Sequence, residues 1–252
     1  MGISAVIITK NEVDRLGPCL ESVSWTDEIL VSDSFSTDGT VELAKQFKAQ
    51  VFQEPWKGYS AQKNALIERA RHEWIFSIDA DERVTEELVA EIQAVVHGGQ
   101  VDGLAIPRRS FFMGRWIRGS GWYPDYQVRV FRKGKGRFQP KRVHEGVVVE
   151  GALDWLTSDL LHYPYRDLAH YFDKFNEYTT LAAQDLRDRG VAFNASQLFS
   201  HPFAVFVKSY VLKRGWRDGV PGFAIAGLAA LNTFVKYGKL WELTHEDCSP
   251  KS

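Results

Sequence analysis

The chain has 252 residues, enough to bury one sizeable core or two closely packed parts. Hydrophobic residues at 44% and charged residues at 25% describe a folded protein, and a formal net charge of −1 argues against a general nucleic-acid binder. The two cysteines, Cys19 and Cys248, cannot build a disulfide framework, and MGISAVIITKNE lacks the basic-then-apolar layout of a secretion signal, so the expected location is the cytoplasm.

The first hundred residues alternate strand and helix patterns. ISAVIIT (3–9) is a short β-branched run, followed by a helical face of Leu16, Leu20 and Val23. EILVSD (28–33) reads as a second strand; Thr37 or Asp38 can cap the next helix, which carries Val41, Ala44 and Phe47 inward. AQVFQ (49–53) is a third strand, with Leu66, Ile67 and Ala70 on the helix after it. EWIFSID (73–79) is a fourth, and Leu88, Ile92 and Val95 mark the helix at 85–96. Such alternation builds a parallel sheet with helices on both faces, and ligands on such sheets sit beyond the carboxyl ends of the strands. Thr9-Lys10-Asn11-Glu12, Asp33 and Asp79-Ala80-Asp81 all fall there.

Clustered carboxylates at a strand end repel unless a cation lies among them. Residues i and i+2 of an extended segment point the same way, so Asp79 and Asp81 can face one ligand together. Hard oxygen ligands favour Mg²⁺ or Mn²⁺, held by a few carboxylates plus substrate phosphates. DSFSTDGT (33–40) offers small turn-forming residues before a helix N-terminus, which suits a phosphate or nucleotide and equally suits plain helix capping. Glu82-Arg83 after Asp81 rules out an EF-hand loop, and Arg83 stands where a haloacid-dehalogenase-type phosphatase would want Thr or Val. Neither a G-x-x-x-x-G-K-[ST] loop nor a G-x-G-x-x-G turn follows the first strand.

VIITKNE, VSDSFSTDGT, SAQKNALIERA and SIDADE resemble the successive signatures of family 2 glycosyltransferases with the GT-A fold. The downstream GWYPDYQVRVFRKGKGRF, VHEGV and LLHYPYRDL are similar to the branch containing lipopolysaccharide-core and lipooligosaccharide β-1,4-glucosyltransferases. Phe35 stands where the family often has Gly, and Ser32 precedes Asp33 where Val-Asp is usual. The resemblance implies an α/β GT-A nucleotide-sugar domain with a mixed, mainly parallel sheet over 1–165, whose acceptor side is 101–165, followed by a helical region at 166–252. It also implies an inverting displacement in which a UDP-sugar, glucose by the branch, gives its sugar to a core oligosaccharide carried on a lipid.

By the matched motifs, Thr9, Asn11 and Glu12 would line the nucleotide, Asp33 would face the uracil, and Lys63 and Asn64 would lie near it. Asp79 would meet the ribose or donor sugar, and Asp81 the Mg²⁺ or Mn²⁺ on the diphosphate, with His144 as a second metal or diphosphate contact. Many family members use a Glu-Asp pair as the base region, and this chain has Pro124-Asp125. Asp125 is the sole acid between Asp102 and Glu145, set among aromatics that could stack on a sugar; its alternative role is an ion pair with Arg129.

Charge is unevenly spread. Residues 1–100 hold nine Lys/Arg against seventeen Asp/Glu, net −8, whereas 108–142 hold eleven against one, net +10. Arg115, Arg118 and Trp122 in that basic stretch are the candidate acceptor contacts, with two solvated faces as the plainer reading. Beyond 165, Leu168, Tyr171, Phe172, Phe175, Tyr178 and Ala182 form one helical stripe. The run Gly219–Val235 is shorter than the roughly 20 residues of a spanning helix. Basic and aromatic residues around it suit either a helix on the inner-membrane surface or a helical cap or dimer contact. A catalytically inactive nucleotide-sugar-binding subunit is the rival from another class, and intact Asp79, Asp81 and Asp125 speak against it.

Overall fold

The computed structural model describes residues 1–139 and 146–245. They divide into two compact units, one drawn from 1–109 and 125–163, the other from 110–124 and 164–245. The segment 110–124 thus joins the C-terminal helices.

The first unit opens with β1 (Ile3–Thr9), α1 (Val13–Ser22), β2 (Glu28–Asp33), α2 (Thr40–Gln46), β3 (Gln50–Gln53), α3 (Tyr59–Arg69), β4 (Trp74–Ser77), β5 (Glu82–Val84) and α4 (Glu86–Gly98). Then come β6 (Gly103–Phe112), whose last residues pass into the second unit with β7 (Arg115–Trp116), and, back in the first unit, β8 (Asp125–Arg132), β9 (Gly136–Phe138), β10 (Val147–Val149), β11 (Leu153–Trp155) and β12 (Leu160–His162). The main sheet runs β3-β2-β1-β4-β8-β6-β12-β5, with β11 and β7 also paired to β6. From β3 to β4 the ladders are parallel; β8 joins antiparallel on β4, and β6 antiparallel on β8. The parallel part follows from the strand–helix alternation. The antiparallel part comes from strands after residue 100.

Every residue of β4 is buried, because a central strand is covered on both faces. Trp74 and Phe76 face one core with Leu16, Leu20, Leu88 and Ile92, while Ile75 faces another with Leu66 and Phe131. Each such side chain is worth about 1.5–3 kcal/mol on burial. That rigid strand fixes where Asp79 begins.

In the second unit, α5 (Leu168–Asp188), α6 (Gln197–Val207) and α7 (Val220–His245) are joined by a π-helical turn at Lys208–Leu212 and a 3₁₀ turn at Gly215–Asp218. Phe112, Ile117 and Ile225 form its buried core, with Trp122, Tyr165 and Tyr171 packed on it. Of the expected stripe on α5, Leu168, Phe172 and Tyr178 stay exposed, and Thr179 and Ala183 are the buried positions. Among the described residues no helix is long and apolar enough to cross a membrane.

Candidate active site

The parallel register sets the donor edge. Thr9 pairs with Asp33 across β1 and β2, and Val6 with Ser77 across β1 and β4, so β4 stops short and the chain turns after it. The turn closes with Glu82 N donating to Asp79 O at 2.9 Å, and Arg83 Nη1 donating to Ala80 O at 2.9 Å.

Because Asp79 and Asp81 lie in this turn and not in an extended strand, they face different partners. Asp79 Oδ1 accepts from Lys63 Nζ at 2.8 Å, and Asp79 Oδ2 from Arg129 Nη2 at 2.6 Å. Burial alone would raise the Asp79 carboxyl, but Arg129 and Lys63 outweigh it and hold it well below the usual carboxylate range. Asp81 Oδ2 lies 3.5 Å from Arg15 Nη1 and 3.9 Å from His162 Nε2. The β5–β12 ladder pairs Glu82 with His162, and this brings the histidine to Asp81. Burial pushes the imidazole below its ordinary value against the pull of Asp81, which favours the neutral ring.

A carboxylate oxygen and a neutral imidazole nitrogen make a donor set that fits Mn²⁺ or Mg²⁺, provided phosphate and water complete the shell. Among the described residues no group of three or more His, Cys, Asp or Glu gathers to form a full protein cage. His144 lies outside the described residues.

The nucleotide candidates line the ends of β1 and β2. Asn11, at φ 54°, accepts from Thr37 N through Oδ1 at 2.8 Å, and its own N donates to Ser36 Oγ at 2.8 Å. Asp33 accepts from Ser36 N at 2.9 Å and from Gln53 Nε2 at 3.2 Å. Those bonds lock the 33–38 loop over the edge. Glu12 grips Arg15, with Oε1 2.6 Å from Nη2. Thr9 Oγ1 is buried with no hydrogen-bond partner among the described residues. Asn64 bonds both ways with the Phe138 backbone, at 2.9 and 3.0 Å, so its amide braces α3 against β9.

Asp125 starts β8 and pairs with Arg108 of β6 in register. Its ion-pair partner is Arg108, not Arg129: Nε donates at 2.9 Å and Nη2 at 2.5 Å to Oδ2, while Gln127 Nε2 donates to Oδ1 at 2.8 Å. About a third of the side chain stays open, at 34% exposure. Between the two arginines sits Glu82, fully buried, taking Arg129 Nη2 at 2.5 Å and Arg108 Nη1 at 3.4 Å. A single alternating chain therefore runs Lys63–Asp79–Arg129–Glu82–Arg108–Asp125. Arg108, Arg15 and His162 were not singled out from sequence, Glu82 was read only against an EF-hand loop, and Arg129 only as a partner for Asp125. Register across β5, β6, β8 and β12 gathers Glu82, Arg108, Arg129 and His162, and Arg15 reaches Asp81 from α1.

The acceptor candidates belong to the second unit. Arg115 is exposed on β7, Arg118 lies over the Trp116 ring at 4.2 Å, and Trp122 packs edge-on against Phe112 with centroids 5.9 Å apart.

Residues 4–148 match the family model described as Glycosyl transferase family 2. The chain belongs to that family. It is 33% identical over 250 residues to the lipopolysaccharide core biosynthesis glycosyltransferase LpsC of Rhizobium meliloti, covering 95% of this chain and 92% of that one. An uncharacterized glycosyltransferase of Rickettsia typhi is 31% identical over 255 residues, covering 96% and 87%. Among solved structures, S. aureus TarS 1–349 in complex with UDP-GlcNAc superposes with TM-score 0.51 at 13% identity, covering 100% of this chain and 93% of that one. The mannosyltransferase PcManGT of Pyrobaculum calidifontis, in complex with GDP-Man and Mn²⁺, also gives 0.51, at 14% identity and 99% and 88% coverage. At these identities the likeness is one of fold, and the glycosyltransferase has the GT-A fold with its mixed sheet.

Proposed function

We propose that this glycosyltransferase is an inverting UDP-sugar transferase that adds a hexose, glucose by the branch resemblance, to the core oligosaccharide of a lipopolysaccharide at the cytoplasmic face of the inner membrane. LpsC, similar over nearly the whole length of both chains, supports the pathway. The observation that carries the chemistry is Asp125, an ionised and partly open carboxylate tied through Arg108, Glu82 and Arg129 to the donor-side Asp79.

In the displacement, an acceptor hydroxyl gives its proton to Asp125 as its oxygen bonds the anomeric carbon, and the bond from that carbon to the diphosphate breaks with its electrons passing to UDP. Burial pushes the Asp125 carboxyl up, but Arg108 and Gln127 more than offset this, so the group is ionised and ready to accept. Both its oxygens are already hydrogen-bonded, yet a carboxylate has about four acceptor positions, which leaves room for the incoming hydroxyl. Asp81 and His162 would hold a divalent cation, which when bound neutralises charge on the leaving diphosphate. Lys63 and Arg129 keep Asp79 ionised for the ribose or donor sugar.

Purified protein incubated with radiolabelled UDP-sugars, Mn²⁺ or Mg²⁺ and delipidated core acceptors should transfer one sugar, with inversion. Labelling from no UDP-sugar, or only from another nucleotide's sugar, overturns the reading.

A further inference from the structure

The second unit holds a cluster of cations that the chemistry above does not use. Arg118, Lys213, Arg214 and Arg217 line one pocket of about 260 Å³ with Tyr123 and Leu212. Among the described residues none of the four has a carboxylate within ion-pairing distance. The adjacent acid, Asp218, is 2% exposed and turned inward, accepting from Arg118 N at 3.1 Å and Gly119 N at 2.7 Å. Ser120 N donates to Lys213 O at 2.9 Å, and a Cβ on Gly119 would meet Arg214 O at 2.5 Å. Glycine there is what lets the 118–122 loop close on the 3₁₀ turn and hold the cations together. An unneutralised cluster of this kind is shaped for an anion with several oxygens, such as a phosphate ester.

Exposed apolar side chains accompany these cations along the chain, and Leu212 itself lines the pocket. Leu212 is 72% exposed and Val220 73%, and Val211, Trp216 and Phe223 are exposed beside them. A soluble anion gives no reason for exposed aliphatic side chains beside its cations, and their cost in water is repaid only by another apolar phase. Cations set among exposed apolar and indole side chains match the boundary between headgroups and acyl chains.

We propose that the stretch Lys208–Phe223 seats this protein on an anionic bilayer, with one phospholipid phosphate held by Arg118, Lys213, Arg214 and Arg217 and with Leu212, Trp216 and Val220 entering the acyl boundary. This rests on the lipid-linked acceptor reading only for the membrane concerned.

The test is sedimentation of the full chain with phosphatidylcholine vesicles and with vesicles of equal phosphatidylcholine and phosphatidylglycerol, without donor or acceptor. The wild type should bind the anionic vesicles alone. Lys213→Gln with Arg217→Gln should cut partitioning by about fivefold per cation removed. Leu212→Ser with Val220→Ser, at positions too exposed to disturb the core, should weaken it by about tenfold. Circular dichroism identifies any variant that has not folded, and the apolar pair then carries the test alone. Equal binding to neutral vesicles overturns the proposal, as does normal vesicle binding by both paired variants. Binding of inorganic phosphate that the cationic pair loses while vesicle binding persists assigns the pocket to a soluble anion instead. A dimer that the apolar pair dissolves, with no vesicle binding by the wild type, assigns the apolar side chains to a second copy. Failure of sugar transfer would leave each of these readouts intact.

Discussion

Arg108 reaches two carboxylates at once, donating through Nε to Asp125 at 2.9 Å and through Nη1 to Glu82 at 3.4 Å. It couples the exposed end of the charge chain to its buried middle. The acid–base behaviour of the site follows from that link.

Asp125→Asn should keep UDP affinity and lose the chemical step by roughly a hundredfold or more. Arg108→Gln tests the same group through pH. Burial raises the Asp125 carboxyl and Arg108 lowers it, with a net value below the ordinary one for an aspartate. The base is competent when deprotonated, so kcat/KM falls as pH drops through that value. Without Arg108 the value rises, and the acid limb of the profile should move to higher pH. An unmoved limb would place the base elsewhere.

Glu82 neutralises Arg129 and Arg108 together and accepts from Asp79 N at 3.0 Å, with its side chain fully buried. Glu82→Gln keeps the shape and removes the charge that two arginines share. Unfolding in urea should show a loss of about 3 kcal/mol, because a buried charge is left uncompensated. Kinetics separate positioning from plain stability. The donor KM should rise through Asp79 and the acid limb shift through Arg108, whereas a stability loss with unchanged kinetics would make Glu82 a structural residue.

What the sequence disclosed depended on the range of the interactions. The parallel half of the sheet was legible because each strand and its helix carry their own periodicity, as Leu16, Leu20 and Leu88 in the main core show. The antiparallel half was not, since β6, β8 and β12 find their partners across long separations, such as Ile75 with Phe131. Asp79, Asp81 and Asp125 stood out as acids in telling positions, but their partners did not. His162 is about eighty residues from Asp81, and only the β5–β12 register unites them. The expected common facing of Asp79 and Asp81 fails for a local reason: the chain turns at 79–82.

The Asp81–His162 pair sets the metal prediction. Excess EDTA should abolish transfer, and added Mn²⁺ or Mg²⁺ should restore it. Asp81→Asn and His162→Ala should each weaken UDP binding in the presence of metal and leave the metal-free affinity nearly unchanged, as calorimetry would show. Full transfer in EDTA would reject a cation at this site. In its absence Arg15, 3.5 Å from Asp81, would be the group answering the diphosphate charge.

Phe35 poses the last question, since its φ of 57° is the left-handed conformation that glycine adopts without penalty. The family often has Gly at this point, and the geometry explains why. A bulky residue there costs about 1–2 kcal/mol in local strain, yet the ring is exposed and two residues from Asp33, which the family resemblance would set against the uracil. Strain held at an exposed aromatic is accounted for if the ring stacks on the base. Phe35→Gly removes the strain but loosens the unfolded chain, and the two effects oppose, so stability should stay within about 1 kcal/mol of wild type. UDP affinity should nevertheless fall about tenfold, as loss of one base–aromatic stack implies. Phe35→Ala should lose the same affinity, and Phe35→Trp should retain it. If the Gly and Ala variants bind UDP as the wild type does, the ring does not meet the base.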